Sequence, residues 1–259
     1  MKRLALLIII PVSVLLAATQ PRTYQTNFPA TENPISENGN WINGETAGVS
    51  WGNIQTIGGH ASGTNVSPAT CSGSNPTGCN DGTAVLTGTW GSDQTACGTV
   101  YISPSLNRNN GFYEIELHLN TSISANNITG YEFNYSVRTS GVYAGIVRWN
   151  GPFNNFTVGV GPVNNPPTLA NGDVLCAIRS GATLTFTRTP NGSTTPATLV
   201  TANNSLTNTY TGGAPGIGMF NEGGVLSDDT QYGFSSFQAT DNGNNNPAPP
   251  ANLRVTNVQ

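Results

Sequence analysis

Between Gly111 and Val160 the chain alternates apolar and polar residues in four successive runs, each closed by Gly, Asn, Ser or Pro. This is the repeat of β-strands with one face in a core and the other turned outward. In the first run Tyr113, Ile115, Leu117 and Leu119 share one face, while Glu114, Glu116 and His118 share the other. In the second, Tyr131, Phe133, Tyr135 and Val137 oppose Glu132, Asn134, Ser136 and Arg138. Two more runs, Val142–Trp149 and Asn155–Val160, complete a central antiparallel sheet whose polar face is expected to be wet.

Further short strands are predicted over 83–90, 95–102, 173–179, 183–189, 197–201, 216–221 and 231–240, with Gly-rich turns between them. Residues 20–40 contain Pro21, Pro29 and Pro34 and read as an extended leading segment, and 58–80 read as a polar stretch. No run carries helical periodicity beyond about two turns. The expected fold is all-β, a two-sheet antiparallel β-sandwich of the jelly-roll kind.

Composition adds limits. The 259 residues carry a net charge of -4 and only 8% charged side chains. Nine Lys plus Arg, thinly spread, exclude a nucleic-acid footprint. Residues 1–19 combine Lys2 and Arg3 with the apolar run Leu4–Leu16 and the small pair Ala17-Ala18, the layout of a signal peptide. The run is too short to span a bilayer comfortably, so the expectation is a secreted or cell-surface protein without a membrane span after cleavage. The jelly-roll domain is placed at 20–241. Residues 242–259 form a Pro/Asn-rich linker and tail, of which Ala251–Val258 resembles the first strand of a fibronectin type III module without the remainder.

Export permits disulfides. Cys71 and Cys79 flank a seven-residue loop and are expected to pair, whereas Cys97 and Cys176, both in predicted strands, either pair or remain two buried thiols. No zinc-type spacing is present. Adjacent Asp228 and Asp229 form a candidate calcium corner, set against a plain turn; no other cofactor is expected.

Several phrases resemble the concanavalin A-like lectin/glucanase superfamily, laminin G-like relatives included. They are Phe28–Trp41, Tyr113-Glu-Ile-Glu, Ile146–Pro152 with Asn155-Phe-Thr157, Asn171–Val174, Gly213–Phe220 and Tyr232–Asp241, together spanning about residues 25–241. The resemblance implies a two-sheet jelly roll with a carbohydrate on one sheet. The superfamily's retaining glucanases carry Glu-x-Asp-x-x-Glu on one strand, but here the strand reads Glu114-Ile-Glu116-Leu-His118, without the Asp or the last Glu. Its alginate-lyase-like members need a Tyr/His pair with Arg and Gln or Asn in motifs this chain lacks.

Three functions are therefore weighed. The first is a polysaccharide-binding module, probing glycan with Glu114, Glu116, His118, Glu132, Asn134, Arg138 and Arg148. Trp149 is then either core or a stacking platform. The second is a glycoside hydrolase or polysaccharide lyase using Glu114, Glu116 and His118, since Glu114 and Glu116 stand two apart on one strand face, about 6.5–7 Å between Cα atoms. The third is a structural or adhesive surface protein. The partner expected first is a polysaccharide or other glycan.

Overall fold

The computed structural model describes residues 21–47, 51–64, 81–109, 113–152, 155–203, 209–221 and 229–241. The signal segment, the Cys71/Cys79 loop, Asp228 and the 242–259 tail lie outside the described residues.

Two antiparallel sheets face each other. Their strands are β1 (Thr23–Thr26), β2 (Trp41–Asn43), β3 (Ile54–Thr56), β4 (Ala61–Gly63), β5 (Asp81–Leu86), β6 (Thr95–Ile102), β7 (Tyr113–Ser124) and β8 (Asn127–Ser136). The rest are β9 (Tyr143–Gly151), β10 (Phe156–Asn164), β11 (Val174–Ser180), β12 (Thr183–Thr189), β13 (Ala197–Ala202), β14 (Ala214–Asn221) and β15 (Tyr232–Thr240). The eight-stranded sheet runs β13-β12-β11-β6-β15-β4-β3, with β1 also on β15; the seven-stranded sheet runs β10-β9-β8-β7-β14-β5-β2. One helical turn, α1 (Gly44–Ala47), follows β2, and a tight turn of helix at Asp229–Gln231 precedes β15.

The core lies between the sheets. Ile115, Leu117 and Leu119 of β7, Phe133 and Tyr135 of β8 and Ile217 and Met219 of β14 meet Phe186, Phe234 and Phe237 from the other sheet. Phe186 stands edge-on to Phe133 at 5.7 Å between ring centres and to Tyr135 at 6.2 Å, an arrangement aromatic quadrupoles favour. Alternation along β7 holds until Asn120, whose φ of 51° carries the chain out of strand geometry. There Asn120 is fixed by Gln94, Ser92 and Arg179, and pairing resumes at Ser122 opposite Thr129.

Cys97 and Cys176 sit directly opposite each other on β6 and β11 and form a disulfide. Of the two states open to them in the sequence, the structure shows the pair.

Candidate functional site

Strand register puts the polar set of the seven-stranded sheet on its outer face, away from the core. Glu116 pairs with Asn134, and His118 with Glu132. Glu132 in turn stands opposite Val147, and Asn134 opposite Gly145. On the other side of β7, Gly216, Gly218 and Phe220 of β14 face His118, Glu116 and Glu114, and Phe220 continues to Asp81 of β5.

The expectation of a wet face fails for these residues. Glu116 and His118 are buried, as are Asp81 and Glu132, and Glu114 and Asn134 keep only 9% exposure each. The cover comes from far upstream. After β2 the chain turns through α1, which packs on β5 and β7, and returns to the β5 edge where the Gly52 amide bonds the Asp81 carbonyl at 3.0 Å. Asn53 ties this segment down through Glu45 at 2.8 Å and the Thr46 amide at 3.3 Å. Trp51 then meets Trp149 at 4.7 Å between ring centres. With Ile128 and Val147 the two indoles form a second, smaller apolar cluster on the outer face. Period-2 alternation identifies two faces, but not a segment that crosses one of them.

Two further expectations are corrected by register. Arg148 does not share the face of the acids: it pairs with Tyr131 and Thr157, turns to the opposite side of β9, and bonds Asn150 and Thr209. Trp149 takes the acid side instead, because neighbours on a strand point opposite ways. It is buried there, yet outside the main core. Arg138 lies past the end of β8 at Ser136, so it does not continue the strand face.

Beneath the indoles the electrostatics are unusual. Glu132 accepts from Trp149 Nε1 at 2.6 Å and from Asn134 Nδ2 at 3.0 Å. Tyr143 donates its hydroxyl to Glu114. Glu116 Oε2, Asp81 Oδ1 and both ring nitrogens of His118 have no hydrogen-bond partner among the described residues. Burial pushes the Glu116 and Asp81 carboxyls well above the ordinary range, and neighbouring carboxylates push the same way. Burial also raises Glu132, against the lowering effect of its two hydrogen bonds. His118 is pushed the other way by burial, down to about 3, so its imidazole is neutral at pH 7. One carboxylate oxygen each of Glu114, Glu116 and Glu132 lies within 4.8 Å of the others. At neutral pH such a group retains protons or attracts a cation.

Next to this cluster the face opens. Phe156 and Val158 of β10 are 47% and 49% exposed, opposite Trp149 and Val147, and Phe156 stands edge-on to Trp149 at 5.3 Å. The open strip is therefore the apolar shelf of Phe156 and Val158 with half-buried Tyr143 on the same face, while Glu114 and Asn134 show only their edges and Gly145 is buried.

No family model and no curated protein matches the sequence. Solved structures align with this chain at TM-scores below 0.5. The carbohydrate binding module CBM66 from Bacillus subtilis aligns with a TM-score of 0.46 and 12% identity, over 80% of this chain and 96% of that one. The lectin I from Ulex europaeus, in complex with the methyl glycoside of α-L-fucose, gives 0.44 and 12%, over 85% and 95%. β-Agarase A in complex with oligoagarose gives 0.47 and 12%, over 85% and 92%. The sandwich itself is defined by its own strand order and register.

The calcium corner expected at Asp228 and Asp229 is only half within the described residues. Asp229 is buried, accepts from Asn221 Nδ2 at 2.6 Å and opens the tight turn before β15. Asp81, Tyr143 and Phe156 escaped the sequence reading as site residues. Asp81 begins a strand that pairs two places away from β7, and only the pairing order shows its relation to the glutamates.

Proposed function

We propose that this chain binds saccharide along the open strip of the seven-stranded sheet's outer face. The observation that carries the reading is the adjacency of two chemistries on one face. Half-buried Tyr143 and the 9% exposed edges of Glu114 and Asn134 offer donors and acceptors to hydroxyls, while Phe156 and Val158 offer exposed apolar surface to a sugar's C–H face. Saccharides are amphipathic in the same way, and sites for them combine a few placed polar groups with aromatic shelves. Individual contacts of this kind replace water rather than add to it, so affinity for one sugar is modest and several sugars or linked modules raise it.

The ligand class is a polysaccharide, and the chain is read as an exported module of a larger extracellular protein. The leader at 1–19 and the Pro/Asn-rich stretch at 242–259 support this, and the Cys97–Cys176 disulfide suits an oxidising compartment. Affinity electrophoresis through gels containing neutral and uronate polysaccharides tests the reading. Retardation by at least one of them, lost in Phe156→Ala and Asn134→Ala with circular dichroism unchanged, is expected. Absence of retardation across the panel, or variants that migrate like the wild type, removes the proposal.

One observation favours a second reading, hydrolysis: Glu116 is held in its acid form beside two other carboxyl groups, as in a general-acid pair. Its burial under the indole cover weighs against it, since the acid must reach a glycosidic oxygen. Release of reducing ends from the same polysaccharides, abolished in Glu116→Gln, separates this reading from binding alone.

A further inference from the structure

Glu114, Glu116 and Glu132 come from two neighbouring strands and converge to within 4.8 Å. Asp81 adds a fourth carboxylate to their field. Like charges this close repel, and burial removes the water that would screen them. A second feature is independent of that crowding. Glu116 Oε2 and both nitrogens of His118 are buried without a hydrogen-bond partner among the described residues. His118 Nε2 nevertheless points at Glu116 Oε2 from 3.4 Å. Buried polar atoms are almost always satisfied, so Glu116 Oε2 and His118 Nε2, close together beside the other carboxylates, mark a missing partner.

Spacing and burial together indicate the ion. Ligands 2.3–2.6 Å from a Ca2+ ion lie about 3.3–3.7 Å apart when adjacent and about 4.6–5.2 Å apart when opposite; around Mg2+ at 2.0–2.1 Å the same separations shrink to about 2.8–3.0 and 4.0–4.2 Å. The carboxylate oxygens, all within 4.8 Å of one another, admit either ion, but Mg2+ gives up its waters reluctantly, so a site this buried favours Ca2+. Gly218 lets the two side chains pack close to β14: a Cβ there would fall 2.3 Å from Glu116 Oε2 and 2.7 Å from His118 Nε2. Glu114 and Asn134 retain exposure and give a way in.

We propose that Glu114, Glu116 and Glu132, with His118 and Asp81 beside them, form a binding site for one hard divalent cation of Ca2+ size. Asp229 is not among the three grouped carboxylates, and the inference does not depend on the saccharide reading. Three carboxylates supply the oxygen ligands such a cation prefers. The imidazole makes Mn2+ a competitor to be measured beside Ca2+.

The full chain, stripped with EDTA and dialysed, is titrated with TbCl3 while tryptophan is excited. Trp149 Nε1 bonds the ligand Glu132 at 2.6 Å, so sensitised Tb3+ emission is expected, displaced by CaCl2. CaCl2 is also expected to raise the melting temperature of the stripped protein, and MgCl2 to do so much less. Glu116→Gln keeps the shape and removes a charge. It should melt above the wild type in EDTA, yet lose the emission and the Ca2+ shift, which separates loss of the site from loss of the fold. Wild type with neither emission nor a Ca2+ or Mn2+ shift overturns the proposal. So does emission that survives Glu116→Gln and Glu132→Gln but disappears in Asp229→Asn. Saccharide binding that persists in EDTA without a Tb3+ signal would leave the preceding reading standing and remove only this one.

Discussion

At the scale of single residues, Glu116, His118 and Gly218 act together. Burial holds the Glu116 and Asp81 carboxyls well above their ordinary range, so the folded chain keeps protons that the unfolded chain has released above about pH 4.5. Their contribution to stability is complete below that value and is lost as pH rises through the folded pKa. His118 has the opposite sign. Its folded pKa is about 3, so below about pH 6.5 the unfolded imidazole takes up a proton that the folded one refuses, and stability falls with pH through that window. Denaturation of the chelator-treated protein should therefore show greatest stability between the two limbs. Glu116→Gln should flatten the alkaline limb and His118→Gln the acid one; limbs that both variants leave unchanged contradict this account. Gly218 is the steric counterpart. The atoms a Cβ would meet there are Glu116 Oε2 and His118 Nε2, so Gly218→Ala is expected to cost about 1–3 kcal/mol in urea denaturation by overpacking. A cost near zero would mean that these side chains are free to move aside.

At the scale of elements, the longer strands were legible and the short ones were not. β6 and β12 match the predicted 95–102 and 183–189, because β-branched and aromatic residues alternate there between Gly and Asn turns. β2, β3 and β4 have three residues each, too few to establish a period, and their pairing comes from tertiary contacts. The same stretch supplies the cover. Nothing in Gly44–Ala47 or in Trp51 announces that these residues lie over a sheet, so the sequence predicts wet acids although it assigns their face correctly. Arg148 is misplaced for a related reason: alternation separates it from Trp149, but only the β8–β9 register decides which of the two joins Glu132. The disulfide joins β6 to β11 across 79 residues of sequence. Closing a loop of that length contributes about 4 kcal/mol through the unfolded chain. Guanidinium denaturation with and without reductant, and of the Cys97→Ala/Cys176→Ala double variant, should show a loss of that order; equal midpoints would contradict it.

At the scale of the molecule, the two sheets divide the work. The eight-stranded sheet closes the core with Phe186, Phe234 and Phe237 and carries the disulfide. The seven-stranded sheet spends one face on that core and places its carboxylates, indoles and exposed Phe156 on the other. A face that served stability alone would neither bury Glu116 and His118 with polar atoms lacking hydrogen bonds among the described residues nor leave Phe156 and Val158 half exposed. The four tryptophans report on this division: Trp41 and Trp90 belong to the main core, Trp51 and Trp149 to the outer cluster. The most direct test is the set of indole N–H signals in 15N-labelled protein, followed while oligosaccharides from neutral and uronate polysaccharides are added. The Trp149 signal, whose N–H bonds Glu132, should shift with a saturable dependence on at least one sugar while Trp41 and Trp90 stay fixed. A Trp149 signal indifferent to every sugar, or shifts confined to Trp41 and Trp90, would contradict binding at this face.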